Sequence, residues 1–317
     1  MDDSPQGGPK GVRLVEVRSE DSGQRLDNYL LRELKGVPRT RLYRAIRKGE
    51  VRVNKGRVQA AYRLVAGDLV RIPPLRRPEP REPAPVPQGL ARDLERRVVY
   101  EDEQLLVLDK PSGLAVHGGS GLSFGLIECL RQMRPDARFM ELVHRLDRDT
   151  SGLVLIALKR SALRELHRQL REKHVDKRYL ALAVGHWPRA CRQVEAPLEK
   201  NVLLSGERVV KVSKEGKRAL TQFEVRERFD GATLVEARPV TGRTHQIRVH
   251  ALHAGHPLLG DDKYSSQRGE ELARELGLKR LFLHASELRF ELAGSGRLAL
   301  SAPLDSYLEN TLKILRK

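Results

Sequence analysis

The feature that most limits how this chain can fold is a run of prolines between residues 73 and 87. Seven of the 17 prolines in the 317-residue chain fall in this short stretch. Proline fixes φ and lacks a backbone N–H, so such a segment pairs poorly in sheets and favours extended polyproline II. We therefore expect residues 74–96 to form a semi-rigid linker between two separately folded parts.

The linker divides the chain into unequal parts. We expect a flexible tail over residues 1–22, a small domain over 23–73 and a large domain over 97–317. No apolar run reaches 18 residues, so a membrane span is not expected. The two cysteines, Cys129 and Cys191, are too few for a disulfide framework, which favours the reducing cytoplasm.

The positive charge is concentrated in the small domain. The whole chain has 59 Lys and Arg against 42 Asp and Glu, a net charge of +17. Residues 25–76 alone hold 14 Lys and Arg against 4 Asp and Glu, which is more than half of the surplus. Such an excess indicates a polyanionic partner, most simply nucleic acid.

A basic amphipathic helix is predicted after Pro38, and Gly49 is placed to end it. Leu42, Ala45 and Ile46 recur at helical spacing and form one apolar face. Cationic side chains occupy the rest, and we expect them to bind phosphates. The expected RNA contacts in this domain are Arg39, Arg41, Arg44, Arg47, Lys48, Arg52 and Lys55. The alternative is an ordinary solvated helix face, although such faces usually carry charges of alternating sign.

This stretch resembles the S4-type RNA-binding domain. The matching segments are residues 24–30 (QRLDNYL), the basic helix, and residues 49–54 (GEVRVN). The resemblance implies a small α/β RNA-binding domain, and it does not by itself imply catalysis.

The large domain shows short apolar runs with fewer helical patterns. Strands are predicted over residues 105–108, 153–158, 179–184, 223–229 and 233–240. Leucines at 163, 166 and 170 predict an amphipathic helix. Because strands and helices do not alternate regularly, we predict an α+β fold with a mixed, largely antiparallel sheet.

A charged segment precedes the second predicted strand. Residues 144–152 (HRLDRDTSG) place Asp147 and Asp149 among arginines. A nearby guanidinium keeps an aspartate ionised, as a nucleophile or base must be. One alternative is a turn that pairs its charges internally. Another is an aspartic-protease loop at residues 149–152, which would require a homodimer because those enzymes use two carboxylates and the chain has one copy.

A second polar segment spans residues 241–250 (TGRTHQIRVH). Its Thr-Gly start before a helical pattern predicts backbone N–H groups, with Arg243, facing an anion. His250, His253 and His256 raise the question of a metal site. Their spacing puts at most two on one helix face, and no Cys-x-x-Cys accompanies them, so no metal is expected.

Together these motifs resemble the RluA-type family of pseudouridine synthases. Four segments match in the family's order, residues 108–113 (LDKPSG), 144–152, 177–179 (KRY) and 241–250. The resemblance implies the pseudouridine synthase fold, isomerisation of uridine in RNA, and no cofactor or metal.

The resemblance also implies roles for individual residues. It places the catalytic aspartate on Asp147 and the tyrosine that packs against the target base on Tyr179. It makes Arg248 the arginine that pairs with the aspartate. Arg145 matches an arginine that fills the gap left by a flipped nucleotide.

Two further segments are informative about the substrate. Residues 116–125 and 134–139 are similar to the large-subunit synthases of type C, which modify several uridines of 23S rRNA. The resemblance implies 23S rRNA or a large-subunit precursor as the partner, and we expect a cytoplasmic monomer with no membrane attachment. The alternatives are a type D synthase, or a non-catalytic ribosome-assembly factor that binds RNA through residues 25–76.

Overall fold

The computed structural model of the chain describes residues 11–34, 36–75, 85–118, 124–202 and 208–317. The chain divides into two units, Met1–Glu82 and Pro83–Lys317. Among the residues described, no helix has both the length and the apolar character needed to cross a bilayer.

The first unit packs two helices on a small antiparallel sheet with strand order β1-β3-β2. Its elements are β1 (Arg13–Glu16), α1 (Leu26–Glu33), α2 (Arg39–Lys48), β2 (Arg52–Val53) and β3 (Leu69–Ile72). The helix α2 has the predicted bounds, and it ends because Gly49 adopts φ of 71°, which glycine reaches without steric cost. Leu42, Ala45 and Ile46 are buried in the core of this unit.

The structure differs from the sequence-based prediction at the start of each unit. Strand β1 lies inside the segment predicted to be a flexible tail. This segment is ordered because β1 pairs with β3 and the neighbouring Val17 is buried. Helix α3 (Gln88–Arg96) lies inside the predicted linker. It begins directly after Pro87, where a proline is tolerated because the first helical N–H groups have no partner. Residues 1–10 of the tail and 76–84 of the linker lie outside the described residues.

The second unit is built on one large sheet. Its strands are β4 (Val98–Glu101), β5 (Leu105–Lys110), β6 (Glu141–Leu142), β7 (Ser151–Ala157), β8 (Asp176–Val184), β9 (Gln193–Glu195), β10 (Leu198–Val202), β11 (Arg208–Val212), β12 (Leu220–Phe229), β13 (Ala232–Pro239), β14 (Leu283–Leu292) and β15 (Gly296–Ser301). Its other helices are α4 (Leu126–Met133), α5 (Arg160–Glu172), α6 (Gln246–His253), α7 (Gln267–Glu275) and α8 (Ser306–Leu315).

The ten-stranded sheet has the order β4-β5-β7-β14-β8-β13-β12-β9, with β6 beside β7 and β15 beside β14. The strands β10 and β11 form a separate hairpin. Between the described strands, every pairing is antiparallel except that of β14 with β7. The predicted α+β fold with a mixed, largely antiparallel sheet is therefore confirmed.

Strand β7 lies at the centre of two cores. Val154 and Ile156 point into one hydrophobic cluster, while Leu153 and Leu155 point into another on the opposite face. A strand buried on both faces reads as a continuous apolar run, which is why it could be predicted from the sequence. The charged segment 144–150 leads directly into this rigid strand.

Candidate functional site

The loop that carries Asp147 is tied to the end of β5 by a buried lysine. Lys110 Nζ donates hydrogen bonds to the carbonyl oxygens of Pro111, Leu114 and Arg148, at 2.9, 2.8 and 3.0 Å. Burial lowers the pKa of this amine to about 7, although nearby carboxylates act in the opposite direction. The loop is therefore fixed by the hydrogen bonds of Lys110 and by the buried strand β7 that follows it.

Two further hydrogen bonds hold the same loop. Ser112 Oγ donates to the carbonyl of Asp149 at 2.8 Å, and the Gly113 N–H donates to the carbonyl of Arg148 at 2.9 Å. The Arg148 guanidinium pairs with the Asp149 carboxylate at 3.1 Å. The internal pairing considered as an alternative thus occurs, but it involves Asp149 and leaves Asp147 available.

A cleft of about 450 Å³ opens in front of the loop. Its walls include Asp147, Tyr179 from β8 and Arg248 from α6, three side chains that the sequence placed in one site. The Asp147 side chain is 19% exposed, so solvent and substrate can still reach the carboxylate. Burial, with a smaller contribution from the charge of Asp147, raises the pKa of the Tyr179 phenol, which therefore stays protonated.

The direct ion pair between Asp147 and Arg248 implied by the resemblance is not seen. The Arg248 guanidinium is held by both oxygens of Asp261, at 2.6 and 2.7 Å, and by Asp262 at 3.1 Å. Asp261 also accepts hydrogen bonds from the backbone N–H groups of Lys263 and Tyr264. These bonds orient its carboxylate toward Arg248, so Arg248 pairs with Asp261 and not with Asp147. Burial lowers the pKa of Arg248, but Asp261 and then the more distant Asp147 raise it overall.

One residue beside Asp147, His245, was not predicted from the sequence. His245 Nε2 lies 3.9 Å from Asp147 Oδ2, and His245 Nδ1 is hydrogen-bonded to the Tyr264 hydroxyl at 2.7 Å. His245 belongs to the segment that matched the family, but neither its spacing nor its type distinguished it there. Asp261 and Tyr264 carried one weak signal, an acidic and aromatic turn following a glycine.

The rim of the cleft is strongly basic. Among the described residues that line it, five are Lys or Arg and one is an acid. Four of the five, Arg145, Arg171, Lys177 and Arg243, are exposed or partly exposed, whereas Arg248 is buried and paired with Asp261 and Asp262. Arg145 and Arg243 are exposed, as expected for contacts with RNA. A cleft with this charge favours a polyanionic substrate over a neutral one.

The predicted anion site at the start of α6 is occupied by the chain's own side chain. Gln246 Oε1 accepts hydrogen bonds from the Arg243 N–H at 3.0 Å and from Thr241 Oγ1 at 2.7 Å. His250 is a buried structural residue, bonded to Thr221 Oγ1 and to the Ala196 carbonyl. In the part of the chain that is described, no three His, Cys, Asp or Glu residues are grouped to hold a metal.

The predicted RNA contacts of the first unit all lie on its surface. Arg39, Arg41, Arg44, Arg47, Lys48, Arg52 and Lys55 are exposed. Arg52 also donates to the Gly49 carbonyl at 3.1 Å, which orders part of this surface. The apolar face of α2 is buried while its cationic face remains open to a partner.

Known families match both units. Residues 104–253 match the model for RNA pseudouridylate synthase, and residues 24–70 match the S4 domain. A ribosomal large subunit pseudouridine synthase C from Pasteurella multocida is 57% identical, over 97% of this chain and 95% of that protein. The chain belongs to the RNA pseudouridylate synthase family. This membership replaces the aspartic-protease interpretation of residues 149–152.

Further relatives and solved structures agree with this family assignment. The enzyme of the same name from Escherichia coli is 56% identical, over 96% of this chain and 97% of that protein. The structure of human RNA pseudouridylate synthase domain containing 4 aligns with a TM-score of 0.60 and 29% identity, covering 72% of this chain and 96% of that one. The human domain-containing 1 protein aligns with a TM-score of 0.55 and 28% identity, covering 69% and 94%. The pseudouridine synthase fold expected from the motifs is confirmed.

Proposed function

We propose that this protein converts uridines of large-subunit ribosomal RNA, 23S rRNA, into pseudouridine, with Asp147 as its catalytic residue. The observation that carries the proposal is the cleft in which Asp147, Tyr179 and Arg248 meet beneath a basic rim. The full-length similarity to relatives named ribosomal large subunit pseudouridine synthase C supports the choice of RNA.

The substrate must leave its helix to react. A uridine in folded RNA hides its glycosidic bond, and extruding the nucleotide costs a few kcal/mol. Arg145 is exposed at the cleft edge beside Asp147, and a planar guanidinium there can stack in the gap that the nucleotide leaves. That stacking offsets part of the extrusion cost.

The chemistry exchanges one bond of the base for another. The N1–C1′ bond breaks, the uracil rotates in place, and a C5–C1′ bond forms. C5 then loses its proton and N1 gains one, so atoms and electrons balance without a redox partner. Asp147 takes part in this exchange as a nucleophile toward the ring or C1′, or as a base toward a ribose proton, and each role requires an ionised, accessible carboxylate.

The neighbours of Asp147 have separable tasks. The buried ring of Tyr179 offers a surface against which the detached base turns and stays out of water. Arg248 is fixed by Asp261, so its positive charge faces the cleft at a constant position. Lys110 donates a hydrogen bond to the Arg148 carbonyl and so keeps the loop that carries Asp147 in a fixed position.

The first unit supplies affinity for RNA. Its exposed cations neutralise phosphates independently of sequence, while the cleft selects the uridine. We propose that the segment 23–73 together with β1 acts as the RNA-binding domain, and that the segment 97–317 together with α3 acts as the catalytic domain. Cys129 and Cys191 are both free thiols, which suits a protein that works in the reducing cytoplasm.

The test maps pseudouridine in large-subunit RNA incubated with the protein or with its variants. Wild type should modify specific uridines, and Asp147→Asn should modify none while binding the RNA with similar affinity. Asp149→Asn is the matched control, because it changes a second carboxylate of the same loop that is already paired with Arg148. It should retain activity.

Other outcomes would redirect the assignment. A fully active Asp147→Asn variant would remove Asp147 from the chemistry. If no variant and no wild-type sample modified RNA, while loss of the basic helix abolished ribosome assembly, the protein would be a non-catalytic assembly factor. Modification at the sites of a type D enzyme would overturn the assignment to the type C relatives.

A further inference from the structure

We propose that His245 is a positioning residue for Asp147, and that Tyr264 sets which ring nitrogen of His245 carries the proton. In this inference the His245 Nε2–H donates a hydrogen bond to the Asp147 carboxylate once RNA fills the cleft. The proposal rests on the function proposed above for the same cleft.

The backbone at His245 is held in an unusual conformation. Its φ of 52° and ψ of 20° place it in the left-handed region, which residues other than glycine rarely adopt. His245 is the residue immediately before α6, and the buried helix behind it fixes its direction. Strain of this kind persists where the surroundings enforce it, and it is common at functional sites. Here it aims the imidazole at the loop of Asp147.

The hydrogen bonds around Tyr264 determine the tautomer of His245. The Val210 N–H donates to the Tyr264 hydroxyl at 2.8 Å, which uses one lone pair of the oxygen. Among the described residues, His245 Nδ1 at 2.7 Å is the remaining hydrogen-bond partner of that hydroxyl. We assign the phenol proton to this contact, because Nδ1 is its one acceptor among the described residues, and an accepting Nδ1 is unprotonated. The neutral ring then carries its proton on Nε2, the atom nearest to Asp147.

The electrostatic surroundings keep the ring neutral. Burial lowers the pKa of His245, and the charges of Arg248 and Lys263 act in the same direction. Asp147 and Asp261 act in the opposite direction, but the overall shift is downward. A neutral donor suits this position, because it orients Asp147 without neutralising the charge that the reaction needs.

The distance also agrees with a bond that forms during binding. The 3.9 Å between Nε2 and Oδ2 is too long for a hydrogen bond in the free protein. Contacts in active sites are often long before the substrate binds, and they shorten when it fills the cleft. In the proposed bound state the Asp147 side chain moves toward Nε2 by about 1 Å, which brings the two atoms within hydrogen-bond distance.

Two substitutions of His245 separate its two nitrogens. In His245→Asn the amide reaches only the position of Nδ1, so contact with Tyr264 survives and the donor to Asp147 is lost. In His245→Gln the longer amide reaches the position of Nε2. His253→Asn is the matched control, since His253 is exposed at the other end of the same helix.

The assay measures the single-turnover rate of pseudouridine formation and, separately, the affinity for RNA. We expect His245→Asn to lower the rate by roughly 10- to 100-fold, the equivalent of a lost hydrogen bond to a charged group, with RNA affinity nearly unchanged. His245→Gln should recover most of that rate, and His253→Asn should match wild type. If His245→Asn reacts as fast as wild type, or if Gln is as slow as Asn, the proposal is wrong.

A spectroscopic measurement tests the tautomer even where a variant folds poorly. The ¹⁵N chemical shifts of His245 in the free wild-type protein should show a protonated Nε2 and an unprotonated Nδ1. Tyr264→Phe should shift the population toward the other tautomer. A protonated Nδ1 in wild type would overturn the inference. An inactive wild type would instead refute the proposed function, so the two failures are distinguishable.

Discussion

Replacing Lys110 with methionine isolates the titration of one buried amine beneath the Asp147 loop. In the folded protein the pKa of Lys110 is lowered to about 7, from its ordinary value of 10.5. The side chain has no exposed surface, and the carbonyl oxygens of Pro111, Leu114 and Arg148 replace only part of the hydration that the ammonium loses. In the unfolded chain the amine is hydrated and regains its ordinary pKa.

The sign and size of the effect follow from proton linkage. Between pH 7 and 10.5 the unfolded chain binds more protons at this site than the folded chain, so the free energy of unfolding rises with pH. The slope approaches about 1.4 kcal/mol per pH unit. Because the amine is half protonated at pH 7, the gain from pH 7 to pH 9 is about 2 kcal/mol. The methionine variant lacks this contribution.

The measurement is denaturant unfolding at pH 7, 8 and 9, followed by fluorescence. The chain has one tryptophan, Trp187, which is buried in the second unit and reports its unfolding. The free energy of unfolding of wild type, relative to Lys110→Met, should increase by about 2 kcal/mol across this range. Two curves that stay parallel would show that Lys110 titrates normally in the folded protein, and the reasoning would fail.

Three further substitutions test other parts of the structure. Gly152→Ala should lower the free energy of unfolding by about 3 kcal/mol or more. The added Cβ would lie 2.3 Å from the Ala285 carbonyl oxygen, and the backbone φ of 106° is one that alanine rarely adopts. An unchanged free energy of unfolding would contradict this. Asp261→Asn should cost about 3–5 kcal/mol by the same assay, because it breaks a buried pair and leaves Arg248 without its main partner. Arg44→Ala should weaken RNA binding and reduce its log–log salt slope by about 0.7–0.9, whereas a changed choice of uridine would refute its role as a phosphate contact.

Local patterns were sufficient for much of the fold. Helix α2 could be predicted because its apolar spacing and its terminal Gly49 lie within a few residues of one another. Strands β5 and β7 could be predicted because burial on both faces makes them continuously apolar. Strand β1 was missed because it forms by pairing with β3, which is distant in sequence. Helix α3 was missed because it begins at the end of a proline-rich stretch that indicates a linker.

The site was only partly predictable. Asp147, Tyr179 and Arg248 were predicted as site residues from ordered motifs, and the structure places all three in the wall of one cleft. The partner of Arg248 was not found, because Asp261 reaches it through a turn whose path local sequence does not specify. The approach of His245 to Asp147 joins segments on different elements, and it exists only after the sheet and α6 have packed.

The position of β14 in the sheet has a consequence for synthesis of the protein. This strand, Leu283–Leu292, lies between β7 and β8, which are made much earlier. Until it emerges from the exit tunnel, the halves of the sheet that bear Asp147 and Tyr179 have no strand to join them. A nascent chain can therefore assemble the cleft between Asp147 and Tyr179 only near the end of its synthesis.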